Sequence, residues 1–121
     1  MKSLFLLLAL TLGFWHLGVA VPPPLTEAQK IDRLILYVRN LEGAVFIRNG
    51  SEHTTAEAAA HMQLKREKGA KYARTANEFI QNLATKSYFS GRPYYIRFKD
   101  GRTVAAAEVL RKELQRLESQ K

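Results

Sequence analysis

The first folded segment of the chain is the stretch TEAQKIDRLILYVRNL at residues 26–41. Thr26 and Gln29 have the spacing of a capping box, in which each side chain bonds the backbone N–H of the other residue at a helix start. Apolar residues then recur with the period of an α-helix, at Ile31, Leu34, Ile35, Val38 and Leu41. Gly43 stands where a residue in the left-handed conformation commonly ends a helix. The stretch therefore predicts an amphipathic helix between Thr26 and Gly43.

Three more helices are predicted further along the chain. Capping boxes recur at two places, Thr54 with Glu57 and Thr75 with Glu78. The first predicts a helix from about Thr55 to Tyr72, with Gly69 as a weak point because glycine disfavours helix interiors. The second predicts a helix that begins at Ala76. A fourth helix is indicated by apolar residues on one face, at Ala106, Val109, Leu110, Leu114 and Leu117.

Short β segments separate these helices. Residues 44–48 are partly β-branched and precede Asn49-Gly50, a strong turn signal, so we interpret them as a short strand or an extended connector. Residues 94–98 and 103–104 flank Asp100-Gly101 and predict a β-hairpin, for which a bulged turn is as compatible as a two-residue turn.

The fold class that follows is α+β, mainly α. We expect about four helices and a small hairpin near residues 94–104, in a single compact domain over residues 26–118. Val45 and Ile47 are candidates for a third strand. Residues 119–121 are expected to form a frayed tail.

The N-terminal segment has the composition of a secretory signal peptide. One positive charge precedes an apolar run from Leu4 to Leu12, and small residues follow at Gly18 and Ala20. We expect cleavage after Ala20, which makes residues 1–20 a signal peptide. Residues 21–25 then form a Pro-rich spacer before the domain.

The alternative for this segment is an uncleaved membrane anchor. Residues 4–21 approach the roughly 17–25 apolar residues that span a bilayer. In both cases the positive-inside bias places the domain outside the cytoplasm. We therefore expect an exported, periplasmic protein, tethered to the inner membrane only if cleavage fails.

The composition narrows the classes of partner. Without Lys2, 18 Lys and Arg stand against 11 Asp and Glu, a formal charge of +7, and the chain has no cysteine. Outside the inner membrane the available polyanions are lipid headgroups, lipopolysaccharide and cell-wall polymers, so nucleic acid is not expected as a partner. Basic residues concentrate at Lys65, Arg66, Lys68, Lys71 and Arg74. If they cluster in space, they would attract an anionic membrane surface.

The densest polar segment leads into the second predicted helix, at Arg48, Asn49, Ser51 and His53. A helix start offers free N–H groups and partial positive charge, so an anion could bind there with help from Arg48 and His53. The same residues also suit a polar loop that turns the chain and caps the helix. Both interpretations are compatible with the sequence.

Two titratable residues, His61 and Lys65, lie four positions apart within the helix face that runs from Leu64 through Ala58 to Met62. One interpretation is a polar pocket lined by His61 and Lys65. The other is a hydrogen-bonded interior histidine beside a lysine whose stem packs while its amine reaches water. The candidate ligand-binding residues are thus Arg48, Asn49, Ser51, His53, His61 and Lys65.

The sequence contains no recognisable catalytic, cofactor or metal motif. The adjacent residues 51–53, Ser-Glu-His, cannot converge on one another as a triad. His53, Glu57 and His61 have helical spacing, but an N-cap at Thr54 would leave His53 outside the helix, so no metal site is expected. We name no catalytic residue and expect no cofactor.

Four stretches carry a resemblance to a known family, namely residues 46–50 (FIRNG), 58–65 (AAAHMQLK), 75–80 (TANEFI) and 90–96 (SGRPYYI). In their order and spacing they resemble the YfeK-like family of small exported bacterial proteins of unknown function. The likeness runs from Thr26 to about Leu117. It implies a Gram-negative envelope protein in the periplasm. Because it implies no activity, ligand or catalytic residue, no site assignment comes with it.

Three functions are compatible with these observations. The first is a non-enzymatic binding or accessory domain for an anionic envelope component or an envelope protein. The second is a small envelope hydrolase that uses His53 or His61 as a base. The third is a helical protein–protein interaction module whose contact surface is formed by Leu36 or by the aromatic pairs Tyr88-Phe89 and Tyr94-Tyr95.

Overall fold

The computed structural model describes residues 22–120 of the chain. The expected signal peptide at 1–20 and the membrane-anchor alternative at 4–21 lie outside the described residues. Within 22–120 no helix is long and apolar enough to cross a membrane. This part of the chain forms four helices and one four-stranded antiparallel sheet, which confirms the α+β, mainly α fold class.

The four helices are α1 (Glu27–Arg39), α2 (Thr55–Lys68), α3 (Ala76–Glu78) and α4 (Ala106–Glu118). A 3₁₀ turn over Ala70–Tyr72 follows α2, and α3 continues as a π-helical turn over Phe79–Leu83. The four strands are β1 (Val45–Arg48), β2 (Ser51–His53), β3 (Tyr95–Arg97) and β4 (Thr103–Ala105).

Side-chain caps start the first three helices. The boxes at Thr26–Gln29 and Thr54–Glu57 are complete, with each side chain accepting from the backbone N–H of the other residue. The third box is only half formed. Thr75 accepts from the Glu78 N–H, but the Glu78 carboxylate accepts from the backbone N–H of Arg74. The prediction of a third complete box is wrong because Arg74 offers Glu78 a guanidinium in addition to that N–H.

Two helix ends differ from the sequence prediction. Asn40 is the C-cap of α1, and Gly43, with φ +70°, lies further on in the turn towards β1. The helix α2 ends at Lys68 rather than at Tyr72, with Gly69 as its C-cap. The weak point predicted at Gly69 is the place where the α-helix stops, because glycine has little helix propensity to carry it further.

The sheet has the strand order β2-β1-β3-β4. The hairpin predicted near 94–104 is its β3–β4 half, and the candidate third strand is β1. Residues 51–53 form the edge strand β2, so their interpretation as a polar loop is wrong. Asn49 and Gly50 have φ angles of 52° and 78°, the left-handed conformations of a tight two-residue hairpin turn. That turn lets the polar segment fold back and pair with β1.

The turn between β3 and β4 is longer than two residues. The Phe98 N–H donates to the Arg102 carbonyl at 2.8 Å, so Phe98 rather than Lys99 lies opposite Arg102. The Asp100 carboxylate accepts from the backbone N–H of Arg102 at 3.0 Å and from its Nε at 2.8 Å. A two-residue turn would have placed the like charges of Lys99 and Arg102 opposite each other, and the longer turn avoids this.

The core lies between one face of the sheet and the helices. Phe79, on the π-helical turn, is the largest of its fully buried side chains, and all five apolar residues predicted for α4 are buried. The helix α2 differs because its buried residues are mostly small, at Ala58, Ala59 and Met62. It packs against α1 and β1, and its residues His61 and Lys65 lie beside Tyr94, which immediately precedes β3.

Candidate anion-binding site

The register of the β1–β2 hairpin decides where its polar side chains point. Phe46 pairs with His53, and Arg48 pairs with Ser51. Opposed residues in a sheet share a face, as do residues two apart in a strand, so these four side chains lie on one side. Because Phe46 is buried in the core, this is the side covered by the helices. Glu52 lies on the other face, where its carboxylate accepts from the Arg97 guanidinium at 2.9 Å.

The helix α2 brings His61 and Lys65 to the same place. Lys65 Nζ donates to the Tyr94 hydroxyl at 3.1 Å and to the Lys86 carbonyl at 3.4 Å. It also lies 5.0 Å from the centre of the Tyr94 ring, close enough for a cation–π interaction. The Tyr94 ring in turn stands edge-on to His61, with ring centres 6.4 Å apart. Tyr94 therefore contacts both titratable residues of α2, His61 through its ring and Lys65 through its hydroxyl.

Electrostatics shows that these groups share one local environment. The pKa of His61 is lowered below its ordinary value of 6.5, first by burial and then by the positive charges of Arg48, Lys65 and His53. Burial also lowers the pKa of Lys65, and Arg48 adds to that effect. Burial raises the pKa of Tyr94. His61 is thus neutral at neutral pH, and we call Arg48, His53, His61, Lys65 and the Tyr94 hydroxyl the cationic cluster.

The cationic cluster has little negative charge of its own. Within residues 22–120 neither Arg48 nor Lys65 forms an ion pair. The carboxylate of Glu57 lies 3.9 Å from His53 Nδ1, but it also accepts from the Thr54 N–H as part of the α2 cap. Arg48 and Lys65 are both partly buried, and the positive charge of Arg48 contributes to the lowered pKa of Lys65, so the arrangement is suited to an anion supplied from outside.

Asn49 and Ser51 lie at the tip and the end of the β1–β2 hairpin. The Asn49 amide donates to Ser87 Oγ at 3.4 Å and accepts from the Ser90 hydroxyl, so it fastens the hairpin tip to the loop before β3. Ser51 is exposed at the hairpin end. Their binding roles stay predictions, but the geometry gives Asn49 a structural role in holding Arg48 in place.

Two residues of the site were not predicted from the sequence. Tyr94 entered the sequence analysis only as part of the contact surface of the third function, and this part of that hypothesis is wrong because Tyr94 is buried against Phe46, with ring centres 5.3 Å apart. Arg92 places its guanidinium over the hairpin tip, 3.5 Å from where a Cβ on Gly50 would lie. The only sequence signal near Tyr94 and Arg92 was the turn at residues 90–93. A turn signal does not predict which part of the protein the turn will pack against.

The arrangement offers several hydrogen-bond donors. In residues 22–120 neither His53 nor His61 is hydrogen-bonded to a serine or threonine hydroxyl, and no group of three metal-ligating side chains occurs. Arg48, Lys65, the His61 ring and the Tyr94 hydroxyl are all capable of donating to an anion. The chemistry this geometry supports is recognition of negative charge.

Comparisons with known proteins agree on the family and name no activity. A model of a family of unknown function (DUF5329) matches residues 25–118. The chain is 31% identical over 68 residues to the uncharacterized protein YfeK of Salmonella typhimurium, a match covering 56% of this chain and 57% of that protein. No solved structure matches the chain significantly. These findings confirm the resemblance drawn from the sequence: the chain belongs to the DUF5329 family.

Proposed function

We propose that the chain is a non-enzymatic binding domain for an anionic group of an envelope component, with the cationic cluster as its binding site. The observation that carries this proposal is that Arg48 and Lys65 form no ion pair in residues 22–120. Lys65 donates to the Tyr94 hydroxyl, and Arg48 lies on the same sheet face as Phe46, which packs against the Tyr94 ring. A neutral ligand would leave the repulsion between Arg48 and Lys65 in place. An anion removes it and gains charge-assisted hydrogen bonds.

The donor set favours an oxyanion with several oxygens. A guanidinium presents a planar fork of N–H donors that matches phosphate, sulfate or carboxylate, while an ammonium acts as a point charge. Arg48 supplies the guanidinium and Lys65 supplies the ammonium group. Phosphate is the anionic group of lipid headgroups and of lipopolysaccharide, so it is the ligand chemistry that we propose.

The envelope location is a separate part of the proposal and is inferred from the N-terminal segment and the family resemblance. We expect the exported protein to begin at Val21, after removal of residues 1–20. N-terminal sequencing of the protein recovered from the periplasm checks this. An intact Met1 in the exported protein would contradict cleavage and favour the tethered form.

The binding proposal is tested by titration with sulfate, which keeps its charge from about pH 5 to pH 8. Calorimetry at constant ionic strength is expected to show saturable binding with a Kd on the order of 1 mM, the range of a single small anion. Sulfate binding should be tighter near pH 5 than near pH 7.5. His61 takes up a proton as the pH falls through its lowered pKa, and a bound anion favours that protonated form.

Two histidine variants separate the sources of this pH dependence. His61→Gln is expected to bind sulfate near pH 7.5 and to lose the tightening at low pH. His53→Gln should keep most of it, because His53 lies at the edge of the cluster beside Glu57. Absence of saturable sulfate binding at both pH values would refute the proposal.

A further inference from the structure

An open groove adjoins the cationic cluster on the other side of Lys65. Its walls are Leu64, Lys65, Gly69, Tyr72, Leu83 and Tyr88, and its volume is about 470 Å³. We call it the tyrosine groove. It lies at the end of α2, where the 3₁₀ turn carrying Tyr72 and the loop carrying Tyr88 form opposite walls.

The tyrosine groove leaves much apolar surface in contact with water. Tyr88 is 70% exposed, Tyr72 48% and Leu64 47%. Exposed apolar side chains that gather in one recess, rather than scattering singly, are characteristic of binding sites. Gly69 contributes to the recess because a Cβ there would lie 3.2 Å from Leu83.

Lys65 joins the apolar groove to the cationic cluster. Its stem lines the groove, while its Nζ donates to the Tyr94 hydroxyl and lies 5.4 Å from the centre of the Tyr88 ring. Lys68 also lines the groove, and Lys71 Nζ lies 5.1 Å from the centre of the Tyr72 ring. The apolar recess therefore has the ammonium groups of Lys65 and Lys68 at its edge, which complements a ligand that is apolar at one end and anionic at the other.

We infer that the tyrosine groove holds the hydrocarbon chain of an anionic single-chain amphiphile, whose headgroup occupies the cationic cluster. This inference rests on the proposed function, since the headgroup site is the anion site described above. It adds the class of ligand: a phosphate with one alkyl or acyl chain rather than a free anion.

The test compares inorganic phosphate, butyl phosphate and octyl phosphate by calorimetry, with octyl phosphate kept below its micelle concentration. Each methylene that enters a partly open groove should tighten binding by roughly twofold, less than full burial would give. Because octyl phosphate has four more methylenes than butyl phosphate, we expect it to bind about fifteenfold more tightly. Neutral octyl glucoside should bind more weakly than octyl phosphate, because the cluster then has no anion.

Variants of residues in the tyrosine groove show where the hydrocarbon chain of the ligand lies. Tyr88→Ser and Leu64→Ser are each expected to remove most of the chain-length gain. Leu64→Ser should also leave inorganic phosphate binding unchanged, because Leu64 is not part of the cationic cluster. Leu36→Ser is the matched control, because Leu36 is 49% exposed on α1 and lies outside the groove. The Leu36→Ser variant should keep the full gain in affinity of octyl phosphate over butyl phosphate.

The outcomes separate the two proposals. Inorganic phosphate that binds with no gain for octyl phosphate overturns the groove inference and leaves the anion site standing. Failure of inorganic phosphate to bind overturns the proposed function, and the amphiphile inference with it. Binding to phosphatidylglycerol vesicles that depends on the fully exposed Phe89 and not on Leu64 or Tyr88 would identify a bilayer surface as the partner, which also overturns the inference.

Discussion

Replacing Phe79 with alanine is expected to lower the free energy of unfolding by about 3–5 kcal/mol. The side chain has 0% exposure and lies on the π-helical turn, within the core formed by the sheet and helices. Its removal loses the transfer free energy of the ring and leaves a cavity that close-packed neighbours fill only partly. Chemical denaturation followed by circular dichroism measures the loss.

Phe89 supplies a control with the same change of residue. It is fully exposed in the loop before β3, so Phe89→Ala should change the free energy of unfolding by less than about 0.5 kcal/mol. If the two variants were destabilised equally, the buried position of Phe79 on the π-helical turn would be wrong.

The double variant Arg48→Gln with Lys65→Met is expected to weaken sulfate binding by about a hundredfold. Each of the two cations gives a charge-assisted hydrogen bond worth about 1.5–3 kcal/mol, which is roughly tenfold or more in affinity for each. The same variant should keep its free energy of unfolding within about 1 kcal/mol of the unaltered protein. It loses the bond to Tyr94, but it also removes two neighbouring cations that have no ion pair in residues 22–120.

The matched control is Arg111→Gln with Lys112→Met on α4. Both residues are exposed and form no ion pair in the described part of the chain, and the control removes the same net charge. Sulfate binding should change by no more than about twofold, because exposed charges at a distance are screened by salt. An equal loss in both double variants would show that overall charge, rather than the cationic cluster, holds the anion.

The number of helices and their starting points followed from the sequence. Thr26 and Thr54 begin complete capping boxes, and Ala76 begins α3 as predicted. Interactions of this kind join residues three or four positions apart, so a single stretch of sequence contains everything they need. The apolar stripe of α4 was predictable for the same reason.

The candidate site was only partly predictable. Arg48, His53, His61 and Lys65 were recognised as chemically unusual, and the structure places them in one electrostatic neighbourhood. No spacing or motif in the sequence required the two pairs to meet. The third hypothesis could include Tyr94 in a contact surface because an aromatic ring suits a surface as well as a core, and only its neighbours decide between them.

By itself, the sequence determined the helices, the tight turn at Asn49-Gly50 and the net positive charge of this chain. The tertiary structure alone decided that residues 51–53 form a strand, and that Lys65 donates to the hydroxyl of Tyr94, 29 residues further along. The physical reason is the range of the interactions. Caps and helical periodicity act within a turn of the chain, whereas strand pairing and the meeting of α2 with the sheet depend on segments that come together only when the whole domain packs.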